Sequence, residues 1–315
     1  MIRKAIIISI SGKVLTSNEK KLITKTKPWG VILFKRNVES HYQTKKLIRS
    51  IRKAVKDKKY PILIDEEGGN VCRLSNLIDN KIYSQKFFGD LYKANKSLAA
   101  SLYKHYIFSL SNILKSLGIN INTVPVLDIL KKKTNKIIGS RSYSFDKEII
   151  KYLGLLCLDT YKKNKIGTVI KHLPGHGSAQ SDSHKRLPFV KDSYKSLVKN
   201  DFTSFHKMNS YFAMTAHILY KNLDINNVST HSKFIIQNVI RKKIGFKGIL
   251  LSDDISMKAL KHDLLNNALK SLEAGCNLVL YCAGKYEDSK NLLNKMPLID
   301  SFTAKKTSEF YKFLS

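Results

Sequence analysis

Eight short runs of apolar and β-branched residues punctuate the chain, at Ala5–Ile10, Gly30–Phe34, Pro61–Ile64, Ile121–Val126, Gly167–Ile170, Tyr211–Thr215, Gly248–Leu251 and Asn277–Tyr281. Most intervals between them carry helical periodicity. Ser40–Val55 places Leu47, Ile48, Ile51 and Val55 on one face, and Ser97–Leu117 does the same with Leu98, Leu102, Tyr106, Leu110, Ile113, Leu114 and Leu117. The strand runs are continuously apolar rather than alternating. That implies burial on both faces, and hence a parallel sheet under helices. Eight such units in 315 residues predict an α/β fold of the (β/α)₈ TIM-barrel type, with an open doubly wound sheet as the alternative.

No low-complexity stretch, Pro/Ser-rich linker or solenoid-like repeat divides the sequence, so a single domain over 1–315 is expected. The run Ala5–Ile10 is shorter than a signal-peptide core and lacks a small-residue cleavage site. No apolar stretch approaches the roughly 18 residues of a membrane span, so no membrane association is expected. Cys72, Cys157, Cys276 and Cys282 form no CxxC pair, which suits reduced thiols and a cytoplasmic location.

Charge complicates this picture. Lys+Arg number 56 against 24 Asp+Glu, a formal net charge of +32 that attracts polyanions in general. The lysines are nonetheless scattered in short groups, such as Lys131-Lys132-Lys133 and Arg241-Lys242-Lys243, and no zinc-finger or RRM signature accompanies them. A lysine-rich solvated surface is favoured over a specific nucleic-acid partner.

A barrel demands that its chemistry sit just past the C-terminal ends of its strands. Asp65, Asp128, Lys171 with His172, His217 and Asp253 each follow a predicted strand. Lys171–Pro188, KHLPGHGSAQSDSHKRLP, reads as a loop because Pro174, Gly175, Gly177 and Pro188 interrupt any regular element. Its three histidines and Asp182 first invite a zinc site. The HxxxH spacing across a Pro-Gly-His-Gly turn and the absence of HExxH weigh against one, so no metal and no cofactor are expected. Asp182 and His184 instead sit two apart in an extended loop and share a side, as an acid/base dyad requires. Asp253-Asp254 alone reads as a helix N-cap pair. Opposite a proton donor, Asp253 fits the nucleophile of glycoside hydrolysis, with Asp254 capping the next turn.

Several colinear motifs carry a resemblance: PWGVILFKRNVES at 28–40, IDEEGGNVCRL at 64–74, PVLD at 125–128, IIGSRSYS at 137–144, KHLPGHG with DSH at 171–184, MTAHILY at 214–220 and LLSDDISM at 250–257. Together they resemble the bacterial β-N-acetylhexosaminidases of glycoside hydrolase family 3, of the NagZ type. The resemblance implies a TIM barrel and a retaining exo-β-N-acetylglucosaminidase that works through a covalent glycosyl-enzyme. It assigns Asp253 as nucleophile, His184 as acid/base and Asp182 as the partner that tunes it. Asp65, Arg73, Arg141, Lys171 and His172 match the sugar-binding set. The implied substrates are N-acetylglucosamine-containing muropeptides of peptidoglycan recycling, taken by a monomer. Glu66, Asn70 and Cys72 stand where the family pattern has Gln, Arg and Gln. His176 is left without a chemical role. Three rivals stay open: a family 3 β-glycoside phosphorylase, another β-glycosidase, and a non-enzymatic polyanion-binding protein.

Overall fold

The structure is a computed structural model and describes residues 2–131, 138–179 and 187–315. Ten strands follow in chain order: β1 (Lys4–Ile8), β2 (Pro28–Leu33), β3 (Ile62–Ile64), β4 (Ile121–Asn122), β5 (Gly167–Leu173), β6 (Phe189–Val190), β7 (Phe212–Thr215), β8 (Leu219–Tyr220), β9 (Ile249–Asp254) and β10 (Leu278–Tyr281). Eight of them close a parallel barrel in the order β1-β10-β9-β7-β5-β4-β3-β2, while β6 and β8 pair separately near its rim. The eight predicted apolar runs are the eight barrel strands. Helices fill the connections and make the fold a (β/α)₈ barrel.

Alternation along each strand divides the core in two. Ala5, Ile7, Trp29, Leu63, Ile121, Val169, Phe212, Met214, Leu251 and Leu280 pack together inside the barrel. Ile6, Ile8, Val31, Ile62, Ile170, Ala213, Leu250 and Val279 face the surrounding helices. The lysine-rich C-terminal segment forms a helix, Ser301–Phe313, that closes the N-terminal end of the barrel. There Phe310 is fully buried, edge-on to Phe212 at 5.0 Å, and Trp29 Nε1 donates to Thr307 Oγ1 at 2.9 Å. Burying Phe310 contributes about 1.5–3 kcal/mol.

Three details differ from expectation. β4 covers only Ile121–Asn122 of the predicted 121–126: backbone pairing with β5 resumes at Val126, bridged to Lys171, while on the other side side chains replace it. Asn122 accepts from Glu66 N and donates to Glu66 O, and Gln85 does the same for Val126. β5 runs on through Lys171 and His172 to Leu173, which remains paired with Thr215 of β7. Those residues are therefore strand, not loop. The helix Lys96–Leu117 turns a different face inward, burying Ala99, Ala100, Tyr103, Ile107 and Ser111 beside Leu110, Leu114 and Leu117, while Leu98 is 52% exposed. It packs between two neighbouring helices, Gln85–Ala94 and Lys147–Lys163, and small residues permit that approach. Among the described residues no helix is long and apolar enough to cross a membrane. All four cysteines are free.

Candidate active site

The C-terminal ends of the barrel strands surround a cleft of about 400 Å³. Asp65, Arg73, Arg141, Lys171, His172 and Asp253 all line it, together with Thr123, His176, Asp254 and Cys282. Six of the eight site residues singled out from sequence are thus brought together. Asp182 and His184 lie outside the described residues.

Lys171 organises one wall. Its ammonium donates to Asp65 Oδ1 at 2.5 Å and lies 2.6 Å from Glu67 Oε1, with its side chain 3% exposed. Asp65 also accepts from Thr123 Oγ1 at 2.6 Å and from Arg73 Nη2 at 3.0 Å. Burial opposes charge on Asp65, but Lys171, Arg73 and Arg141 outweigh it and hold the carboxyl well below its ordinary range. Arg141 makes a two-pronged contact with Glu67, Nε to Oε2 and Nη2 to Oε1, each at 2.8 Å. Burial alone would weaken the guanidinium's hold on its proton; Glu67 reverses this and raises its pKa. Sequence reasoning missed Glu67, whose two cationic partners lie more than a hundred and about seventy positions away.

Arg73 reaches the cleft on a turn built by Glu66. This carboxylate is 1% exposed and accepts from Arg73 N and Leu74 N, both at 2.7 Å, and from Asn80 Nδ2 at 2.6 Å. A carboxylate at this variable position therefore shapes the loop rather than the cleft. Burial raises its pKa, and these hydrogen bonds offset part of that rise.

Asp128 anchors a second wall. Fully buried, it accepts from His172 Nδ1 at 2.7 Å and from His176 N at 2.6 Å. It thereby fixes the His172 ring, leaving Nε2 3.5 Å from Arg141 Nη2. Sequence reading noted Asp128 as a strand end but gave it no role. His176 is 4% exposed, packs edge-on to His172 and has no hydrogen-bond partner at Nδ1 among the described residues. Burial pulls its pKa down to about 4, so the ring is neutral at pH 7.

Asp253 faces these groups from β9. Burial raises the energy of its charged form, but His217, His172, the Asp254 amide and Lys171 outweigh this and lower its pKa. It is a carboxylate at neutral pH. Asp254 turns away to accept from Ser256 N and Oγ and from Cys282 N, the capping role its position suggested. Among the described residues no group of three or more His, Cys, Asp or Glu is placed to hold a metal ion.

An ionised carboxylate thus stands across a cleft from fixed cations, paired acids and two imidazoles on an eight-stranded barrel. The model of the Glycosyl hydrolase family 3 N terminal domain matches residues 6–302 of this sequence. The chain belongs to that family. It is 30% identical over 282 residues to a β-hexosaminidase of Nitrosomonas eutropha, a match that covers 88% of this chain and 80% of that protein. A β-hexosaminidase of Methylobacillus flagellatus is 31% identical with the same coverage. Among solved structures, NagZ from Neisseria gonorrhoeae in complex with N-trifluoroacetyl-D-glucosamine superposes with a TM-score of 0.88 at 26% identity, covering all of this chain and 91% of that one.

Proposed function

We propose that this chain is a retaining exo-β-N-acetylglucosaminidase. The observation that carries the reading is the convergence of Asp65, Lys171, Arg141 and His172 opposite an ionised Asp253 in one cleft. Its family relatives named β-hexosaminidase support the substrate class.

In the first step an Asp253 carboxylate oxygen attacks the anomeric carbon, and the bond to the glycosidic oxygen breaks as His184 delivers a proton to it. In the second step water attacks that carbon, gives a proton to His184 and releases the Asp253 carboxylate. Asp182 fixes the His184 tautomer and raises its proton affinity. In its base form the imidazole is neutral and so avoids the like-charge repulsion that a second carboxylate would impose on Asp253. Asp65 accepts from sugar hydroxyls. Arg73, Arg141 and Lys171 donate to hydroxyls and to the N-acetyl carbonyl, His172 meets a hydroxyl through Nε2, and the ion pairs among the charged groups hold the set ready. The physiological substrates are muropeptides bearing terminal N-acetylglucosamine, processed during peptidoglycan recycling in the cytoplasm.

The test is hydrolysis of an aryl β-N-acetylglucosaminide by the wild type, Asp253→Ala and His184→Ala, with and without phosphate. Loss of the acid/base is expected to cost about 10²–10⁴-fold and loss of the nucleophile at least as much. Equal activity in all three proteins overturns the assignment. A rate that requires phosphate turns the reading to a phosphorylase.

A further inference from the structure

His217 lies just beyond β7 and is 1% exposed, although neither sequence nor the proposed chemistry gives it a task. Its two ring nitrogens are both engaged. Nε2 is 3.0 Å from the carbonyl oxygen of Asp254, and Nδ1 is 2.8 Å from Thr230 Oγ1. A carbonyl oxygen only accepts, so Nε2 carries the hydrogen and Nδ1 must accept from the Thr230 hydroxyl. Thr230 Oγ1 in turn lies 2.8 Å from Thr215 Oγ1, which supplies the hydrogen that Thr230 has given up. Thr230 Oγ1 also lies 3.1 Å from Ala216 O, which accepts from Ser229 Oγ at 2.7 Å, but its contact with Nδ1 is the shorter and is the one that leaves no ring nitrogen unpaired. The buried sequence Thr215 to Thr230 to His217 to Asp254 O therefore has one consistent direction of donation.

Residue 254 is what this sequence holds. Its carbonyl also accepts from Met257 N at 3.1 Å, and its carboxylate is fixed by Ser256 and by Cys282 N. Its own amide donates to Asp253 Oδ1 at 2.8 Å. One residue thus receives the His217 hydrogen bond and passes orientation to the carboxylate beside it. Thr215 and His217 lie at the end of β7 and Asp254 at the end of β9, so the contact ties two adjacent barrel strands together where Asp253 leaves the sheet.

We propose that His217, locked as the Nε2–H tautomer by Thr230 and Thr215, is a positioning residue that sets the aim of the Asp253 carboxylate through residue 254. The proposal rests on Asp253 being the nucleophile. Attack on an anomeric carbon is sensitive to placement, and a displacement of about 1 Å costs on the order of 100-fold. A glutamine side chain places its amide nitrogen close to the position of imidazole Nε2 and can donate to Asp254 O; alanine cannot. Thr230→Val removes the donor to Nδ1 while keeping the side chain's shape, which frees the ring to change tautomer and release Asp254.

The experiment measures kcat and KM on an aryl β-N-acetylglucosaminide, and the rate of covalent labelling by a fluorosugar that traps glycosyl-enzymes, for the wild type, His217→Ala, His217→Gln and Thr230→Val. Expected is a fall in kcat and in labelling rate of about 100-fold for His217→Ala, with KM within about threefold. Recovery of at least about tenfold is expected with His217→Gln, and an intermediate loss with Thr230→Val. If His217→Ala does not fold, the other two variants decide. Wild-type rates in both His217→Gln and Thr230→Val overturn the proposal, as does a loss confined to KM. A wild type that hydrolyses nothing and takes no label refutes instead the assignment of Asp253.

Discussion

Lys171 Nζ stands 2.6 Å from Glu67 Oε1, and the two side chains are 3% and 1% exposed. Glu67 also holds Arg141, so one buried carboxylate orients two cations of the cleft. Glu67→Gln keeps the shape and removes the charge, leaving both cations short of a counter-ion. Removing one partner of a buried pair costs about 3–5 kcal/mol, and this loss is expected in chemical denaturation. Aryl glycoside kinetics should show a raised KM, since Lys171 and Arg141 lose their aim. Unchanged denaturation midpoint and KM would show that Glu67 is not the organising group.

Acid should destabilise the fold before it protonates most carboxylates. His176 has its pKa pulled by burial from 6.5 to about 4, and burial likewise leads the lowering at His231, to about 4, and at His217. Unfolded, each takes up a proton near pH 6.5, so between pH 6.5 and 4 the unfolded chain binds more protons. Stability is then complete above pH 6.5 and falls as pH drops toward 4. For the buried His176 the loss amounts to about 3 kcal/mol. Thermal unfolding followed from pH 7.5 to 4.5 should show a declining Tm, with a shallower decline in His176→Gln. Parallel curves for the two proteins would contradict the role given to His176.

Much of this was legible in sequence because burial on both sheet faces leaves an unbroken apolar signature, and all eight barrel strands announced themselves that way. Strand ends were less legible. Pro174 marks a stop at Leu173, yet Lys171 and His172 looked like loop because their charge hides the pairing of β5 with β7. The opposite error at β4 came from Asn122, whose amide stands in for backbone pairing. Asp65, Lys171 and Asp253 were found because each follows directly on an apolar run, although Lys171 and Asp253 themselves belong to β5 and β9. Glu67 and Asp128 act only through partners distant in sequence, and no local pattern marks such pairs.

Gly68 offers a test of the turn that presents Arg73. Its φ is +81°, and a Cβ there would lie 2.3 Å from the backbone oxygen of Tyr83. Both conformation and space exclude a side chain, because the contact is with backbone that cannot rotate away. Gly68→Ala is expected to destabilise by about 1–3 kcal/mol and to lower kcat/KM by displacing Glu67 and Arg73. Calorimetry and kinetics on the same preparation check both; a variant with the wild-type Tm would show that the turn yields easily.

The net charge of +32 makes a separate prediction about substrate capture. Within the cleft the charges nearly cancel, since Arg73, Arg141 and Lys171 face Asp65, Glu67 and Asp253. The surplus is therefore peripheral, and its attraction acts over distances that salt screens, the Debye length being about 10 Å at 0.1 M. A muropeptide carries carboxylates beyond its terminal sugar, whereas a neutral aryl glycoside offers the same sugar without them. Raising ionic strength from about 0.02 to 0.5 M should lower kcat/KM for the anionic substrate by roughly tenfold and leave the neutral one within about twofold. Equal salt responses would mean that the lysine excess takes no part in capture and serves only as a solvated surface.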